Sequence, residues 1–264
     1  MKLAWSAALA CLLVQGASAV ELERHFDVPT LERLGREIHE QDRRAGIAAE
    51  LVADNFDPDA EHLVGFITVG DVAHLRVRFV RETDHGHQAA IDAVFDDLLL
   101  PSLERAAKPE LDAAERAQIA ARLAVARDAA TRCDGRYNTV ALPDPEGDGM
   151  LVYAIAASRD PASVMVGGHV RYSVSADGRT ILHTEPLATS CAVAPRADLE
   201  RAARTDGVEG LALRTTLSNT PLETHVFLSL TQDLPLFVIG NDLRMWRVEG
   251  GHMKVVREGP GDGK

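Results

Sequence analysis

The hydrophobic positions of this chain change period several times, and each change predicts an element. From Leu31, apolar residues recur every three or four positions at Leu34, Ile38, Ala45, Ala48, Ala49 and Val52, which predicts an amphipathic helix up to Asp54-Asn55. Val28-Pro29-Thr30 supplies its start with Thr30 as N-cap, while Gly35 and Gly46 weaken it. Leu63–Val69 and Val72–Val80 are β-rich, and in the second run Leu75, Val77 and Phe79 alternate with Arg76 and Arg78. Gly70-Asp71 between them predicts a two-residue hairpin. From Gln88 the pattern becomes helical again: Ile91, Val94, Phe95, Leu98 and Leu99 form a stripe backed by Asp92, Asp96 and Asp97, and Pro101 ends it. An alanine-rich helix follows from about Glu110 to Thr131, with Leu111, Ile119, Leu123 and Ala126 on its apolar face.

Beyond Cys133 the period shortens. Strands are predicted around Tyr137–Leu142 and Leu151–Ala157, separated by the acidic turn Pro143-Asp144-Pro145-Glu146-Gly147-Asp148-Gly149. The clearest strand carries Val164, Val166, Gly168, Val170, Tyr172 and Val174 on one face. Its other, solvent-facing side carries Met165, Gly167, His169, Arg171 and Ser173, and Ala176-Asp177-Gly178 reverses it into Thr180–His183. Leu222–Leu230, Leu236–Ile239, Leu243–Val248 and His252–Val256 read as a closing meander. The expected fold class is α+β, with a helix-rich N-terminal half, mainly antiparallel strands in the C-terminal half and one disulfide. The expected organisation is a signal peptide at 1–19, one α+β domain at 20–257 (helical part 28–132, mainly strand part 133–257) and a flexible tail at 258–264.

Composition narrows the function. The formal net charge of −12 argues against a partner held through phosphates, so no nucleic acid is expected. The first 19 residues place Lys2 ahead of an apolar run from Leu3 to Val14 and close on Ala17-Ser18-Ala19, the pattern of a cleaved secretory leader. The run is too short and too polar at its end for a spanning helix, so no transmembrane segment is expected after cleavage. Cleavage removes Lys2 and Cys11 together, leaving Cys133 and Cys191 as the only cysteines. In the oxidising setting of a periplasmic or secreted protein, these two are expected to form one disulfide.

The chemistry-bearing residues are sparse. Asp84-His85-Gly86-His87 is the densest ligand cluster: imidazoles one residue apart reach a common metal, with a carboxylate beside them, or else the segment is a polar turn. Asp144, Glu146, Asp148 and Gly149 match the start of a calcium loop, but the closing position is Ile155, so a plain turn is the better reading. His39-Glu40 is followed by Arg43 where a zinc protease helix needs its second histidine. There is no Gly-x-Ser-x-Gly elbow, phosphate loop or dinucleotide fingerprint, so no catalytic residue and no cofactor is assigned. His169 and Arg171 are candidate ligand-binding residues on the wet strand face, against the alternative of a merely solvated face. Trp246, between Arg244 and Arg247, reads as core.

Cys133-Asp134-Gly135-Arg136-Tyr137-Asn138, then Gly167-Gly168-His169 and finally Ser190-Cys191 form a pattern over the central third of the chain. It resembles a group of exported gammaproteobacterial proteins of unknown function. The resemblance supports the disulfide and implies no activity. The expectation is an exported, non-catalytic binding or envelope-associated module whose partner is a protein or envelope component. An exported hydrolase assisted by a metal at Asp84, His85 and His87 is the alternative.

Overall fold

The computed structural model describes residues 22–70, 74–95, 100–129, 132–133, 136–204 and 210–260. In chain order its elements are α1 (Val28–Asn55), β1 (Leu63–Val69), β2 (Arg76–Thr83), β3 (Gly86–Val94), β4 (Ser102–Arg105), α2 (Ala113–Ala129), β5 (Arg136–Pro143), β6 (Met150–Ala157), β7 (Ser163–Met165) and β8 (Val170–Val174). There follow β9 (Ile181–Pro186), β10 (Val193–Pro195), α3 (Arg196–Arg204), β11 (Leu211–Arg214), α4 (Glu223–Gln232), β12 (Leu236–Ile239), β13 (Met245–Glu249) and β14 (His252–Arg257). These strands form sheets in the orders β1-β2-β3-β4, β5-β6-β8-β9 and β11-β12-β13-β14, with β10-β7 as a short ribbon. All neighbours pair antiparallel except β11 and β12, which run parallel because α4 connects them.

Helix α1 is the spine. Its first turn sets Leu31 against Leu236, Val238 and Val248 of the last sheet; its middle sets Leu34 and Ile38 against Leu142, Leu151 and Tyr153; its end sets Ala48 and Val52 against Val77, Phe79 and Ile91. Asp27, not Thr30, caps it, its carboxylate accepting from the Thr30 N–H at 3.0 Å. Gly35 lies under α4, where a Cβ would come within 2.4 Å of the Val226 side chain; the glycine lets the two helices cross closely. Helix α2 wedges between two sheets, with Ile119 against Ile67 and Val80, and Ala121, Val125 and Ala129 against Val152, Val170 and Tyr172. Small residues on that second face allow the close approach.

The expected α+β class with a helix-rich N-terminal half is overturned: the molecule is mostly β, and β1 to β4 stand where a helical part was expected. The segment from Gln88 is the central strand β3, not a helix. It lies between β2 and β4 with α1 over one face and α2 over the other, so both faces are apolar and the alternation that marks a strand is lost. Asp96–Leu99, the end of the expected helix, lie outside the described residues, as do the expected leader at 1–19 and Asp71. Val69 pairs with Arg76, so six residues rather than two separate the paired strands. Leu222–Leu230 is largely helix α4: buried on nearly every side, it shows no polar face to set its period. The long strand expected at Val164–Val174 is broken into β7 and β8 at Gly167-Gly168, where Gly168 has φ +81°.

Cys133 and Cys191 form a disulfide with Cα atoms 6.1 Å apart. A Cβ on Gly168 would sit 2.8 Å from the Cys133 sulfur, and one on Gly167 2.5 Å from the Ser190 carbonyl oxygen. The glycine pair therefore admits the cross-link. Among the described residues no helix is long and apolar enough to cross a membrane.

Candidate functional site

His169 and Arg171 are not on a wet face. α4 covers that side of the second sheet, leaving His169 only 4% and Arg171 only 1% exposed. Arg171 is the centre of an ionic network. Its Nε and Nη2 donate to Glu185 Oε2 at 2.9 and 2.7 Å, and its Nη1 donates to Glu223 Oε1 at 2.7 Å. Glu185 is 3% exposed and Glu223 is fully buried in the first turn of α4, where the helix dipole favours a carboxylate. Burial opposes the charge on Arg171, but Glu223, Tyr153 and Glu185 outweigh it and hold its pKa above the ordinary range. Burial likewise opposes the Glu185 carboxylate, and Arg171 with the backbone donors more than offsets it, so Glu185 titrates below its ordinary value. The Tyr153 phenol beside them is pushed well up, by burial first and then by the Glu223 charge.

The network also fastens the segment that precedes α1. Glu185 Oε1 accepts from the backbone N–H groups of Glu23 and Arg24 at 2.8 and 2.9 Å, and Arg171 Nη2 donates to the Arg24 carbonyl at 2.9 Å. Arg24 forks onto Asp144 at 2.7 and 2.8 Å and reaches Glu146 at 2.9 Å. Thus the two leading carboxylates of the calcium-loop-like turn serve an arginine. Phe26 has two guanidinium groups over its ring, with the centroid 5.0 Å from Arg24 and 4.9 Å from Arg171.

Above this network opens a cavity of about 490 Å³. Leu22, Leu31, Leu217 and Leu222 form its apolar wall, and Ser218, Asn219, Thr220 and Asn241 its polar rim, with His25 at the edge. The 215–222 loop is held by its own hydroxyls: Thr215 Oγ1 accepts from Leu217 N–H and Ser218 Oγ from Thr220 N–H. Trp246, buried in the core, donates its indole N–H to the Asn219 carbonyl at 3.1 Å. The side-chain amides of Asn219 and Asn241 have no protein partner among the described residues. On the other side of the same loop lies a smaller cavity of about 100 Å³, which contains His169 and His225 and shares Thr216 and Leu217 as wall. Burial pushes both imidazoles down to about 4, so both are neutral near pH 7.

The structure thus brings His169 and Arg171 to two adjacent cavities. It leaves Asp84, His85 and His87 away from both cavities, Asp84 and His85 in the turn between β2 and β3 and His87 at the start of β3, where it pairs with Glu82; in the turn Thr83 Oγ1 accepts from His85 N–H and donates to the Gly86 carbonyl. Asp84 and His85 are exposed, and among the described residues no group of three or more metal-ligating side chains converges there or elsewhere. Arg76 and Arg78 of the basic stripe meet Asp92, and Arg78 also meets Glu115 at 2.6 Å.

Sequence reasoning missed Arg24, Tyr153, Glu185 and Glu223. One signal was available: Arg171 and Glu185 are directly opposed across the β8–β9 hairpin, a pairing that its turn sets. Glu223 comes from a distant helix, and no local pattern announces it. No family model matches the chain, and no curated protein or solved structure shows significant similarity to it.

Proposed function

We propose that this is an exported, non-catalytic binding module, periplasmic or secreted, which takes a small uncharged amphiphile in the 490 Å³ cavity. One observation carries the reading: the cavity pairs a leucine wall with asparagine amides that have no protein partner among the described residues, while each charge beneath it already stands against a counter-charge. Arg24 and Arg171 stand against Asp144, Glu146, Glu185 and Glu223, so the floor has no positive surplus to draw an anion. Phe26 is already engaged by two guanidinium groups, which argues against its serving as an aromatic platform for a sugar ring. Ser218 and Thr220 bond each other and neither meets a histidine or carboxylate among the described residues, so no activated nucleophile lines the cavity. The leader and the disulfide support export.

N-acetyl-leucinamide, which has an apolar side chain and two amides, is the test ligand, with N-acetyl-leucine as its anionic counterpart. In two-dimensional amide spectra the amide is expected to shift Asn219, Asn241 and Leu217 saturably, and the carboxylate to bind at least about tenfold more weakly. The exposed Asn241→Trp variant, which fills the rim, is expected to abolish the response. A wild type that ignores both compounds, or prefers the carboxylate, overturns the reading.

A further inference from the structure

The smaller cavity has the opposite character. His169 Nδ1 accepts the Ala156 N–H at 3.1 Å, and His225 Nδ1 accepts the Leu222 N–H at 2.8 Å. An imidazole that accepts at Nδ1 in its neutral form carries its proton on Nε2, so both rings are fixed as Nε2–H donors. His169 Nε2 is sealed from solvent and has no protein partner. A buried donor left unmet costs about 1–3 kcal/mol, which makes it an expected binding point rather than an inert wall. Thr189 and Ser190 add hydroxyls on one side and Thr215 adds one on the other; Thr215 already accepts from Leu217 N–H and so keeps its own proton to donate. Arg214, the last residue of β11, lines the same cavity and is exposed, and its guanidinium has no ion pair or hydrogen bond among the described residues.

We propose that this second cavity is a binding site for a small oxyanion of carboxylate or phosphate size, held by the Nε2–H groups of His169 and His225, the neighbouring hydroxyls and the Arg214 guanidinium. The elements share one property: each is a donor, and the lining offers no carboxylate. A cavity of about 100 Å³ admits several waters or one anion of four or five heavy atoms. On a chain of net charge −12, a free guanidinium beside two neutral donors is what makes an anion the fitting occupant. The proposal is independent of the amphiphile cavity, because it rests on different side chains on the opposite side of the 215–222 loop.

The test is a titration of the intact mature protein with sodium acetate and, separately, inorganic phosphate, against sodium chloride at equal ionic strength, read in imidazole nitrogen–proton spectra. Saturable shifts at His169 and His225, with half-saturation at or below about 10 mM, are expected for acetate or phosphate and not for chloride. Whichever anion is tighter identifies the ligand as a carboxylate or a phosphate. Arg214→Gln, at an exposed position that the fold does not need, is expected to weaken binding about tenfold or more. Absence of a saturable shift, an equal response to chloride, or unchanged affinity in Arg214→Gln each overturns the proposal.

Discussion

Two buried polar regions lie on either side of the 215–222 loop, and they handle burial in opposite ways. Around Arg171 the groups are charged and paired: one guanidinium meets two carboxylates and a backbone carbonyl, although Glu223 Oε2 and the Tyr153 hydroxyl beside it have no hydrogen-bond partner among the described residues. Around His169 the groups are neutral and one donor is left open. A full charge must find its counter-charge inside the protein, because desolvation of an unpaired ion costs several kcal/mol. A neutral imidazole costs little to bury and can leave a donor for something else. The first region therefore makes a rigid floor, and the second keeps a vacancy for hydrogen bonding.

The comparison breaks most sharply at Arg171. Arg171→Met leaves Glu185 and Glu223 buried without their cation, and is expected to cost about 3–5 kcal/mol of unfolding free energy, measured by urea denaturation. The same variant should release the segment at Leu22–Phe26 and open it to protease cleavage, since Arg171 and Glu185 hold its backbone. A loss below about 1 kcal/mol would mean that the network is no keystone.

Acid separates the two regions by pH. His169 titrates at about 4 in the folded protein and at 6.5 when unfolded. Its folded value is depressed, so its contribution is intact above pH 6.5 and is lost as pH falls from there through 4, a total of roughly 3 kcal/mol. Glu185 is also depressed, but from 4.5, so the stability it adds persists down to that value and is lost only below it. Unfolding free energies measured along this pH series in the wild type and in His169→Gln should differ in slope within the histidine window and run parallel below it. Identical slopes throughout would remove His169 from the acid response.

The smallest effect comes from a third buried cation. Arg122 is 4% exposed, its Nη1 and Nη2 have no hydrogen-bond partner, and burial lowers its pKa to about 9. Among the described residues it is compensated by the Phe66 ring, whose centroid lies 4.1 Å away, and by the nearby Asp42 charge. Arg122→Met is expected to stabilise the protein by about 1 kcal/mol, a rise of roughly 2–4 °C in Tm. A fall in Tm would mean that stacking on Phe66 outweighs the missing hydrogen bonds.

Legibility in the sequence followed distance along the chain. The first helix, the alanine-rich helix and the β5–β6 hairpin are local patterns, and they appear within a few residues of their expected places. β3 and α4 were misread for a common reason: each is covered on more than one side, and a segment with no wet face carries no periodicity to read. At the candidate site His169 and Arg171 were legible as chemistry and misplaced as environment.

By itself, the sequence determined the pairing of Cys133 with Cys191, given the expectation that Cys11 belongs to a cleaved leader, and the alternation that puts His169 and Arg171 on one side. Only the tertiary structure decided that this side is interior. Alternation separates two faces of a strand, but whether a face meets water depends on what packs over it. Here the cover is α4, more than fifty residues downstream, which brings Glu223 to Arg171 and His225 to the cavity of His169.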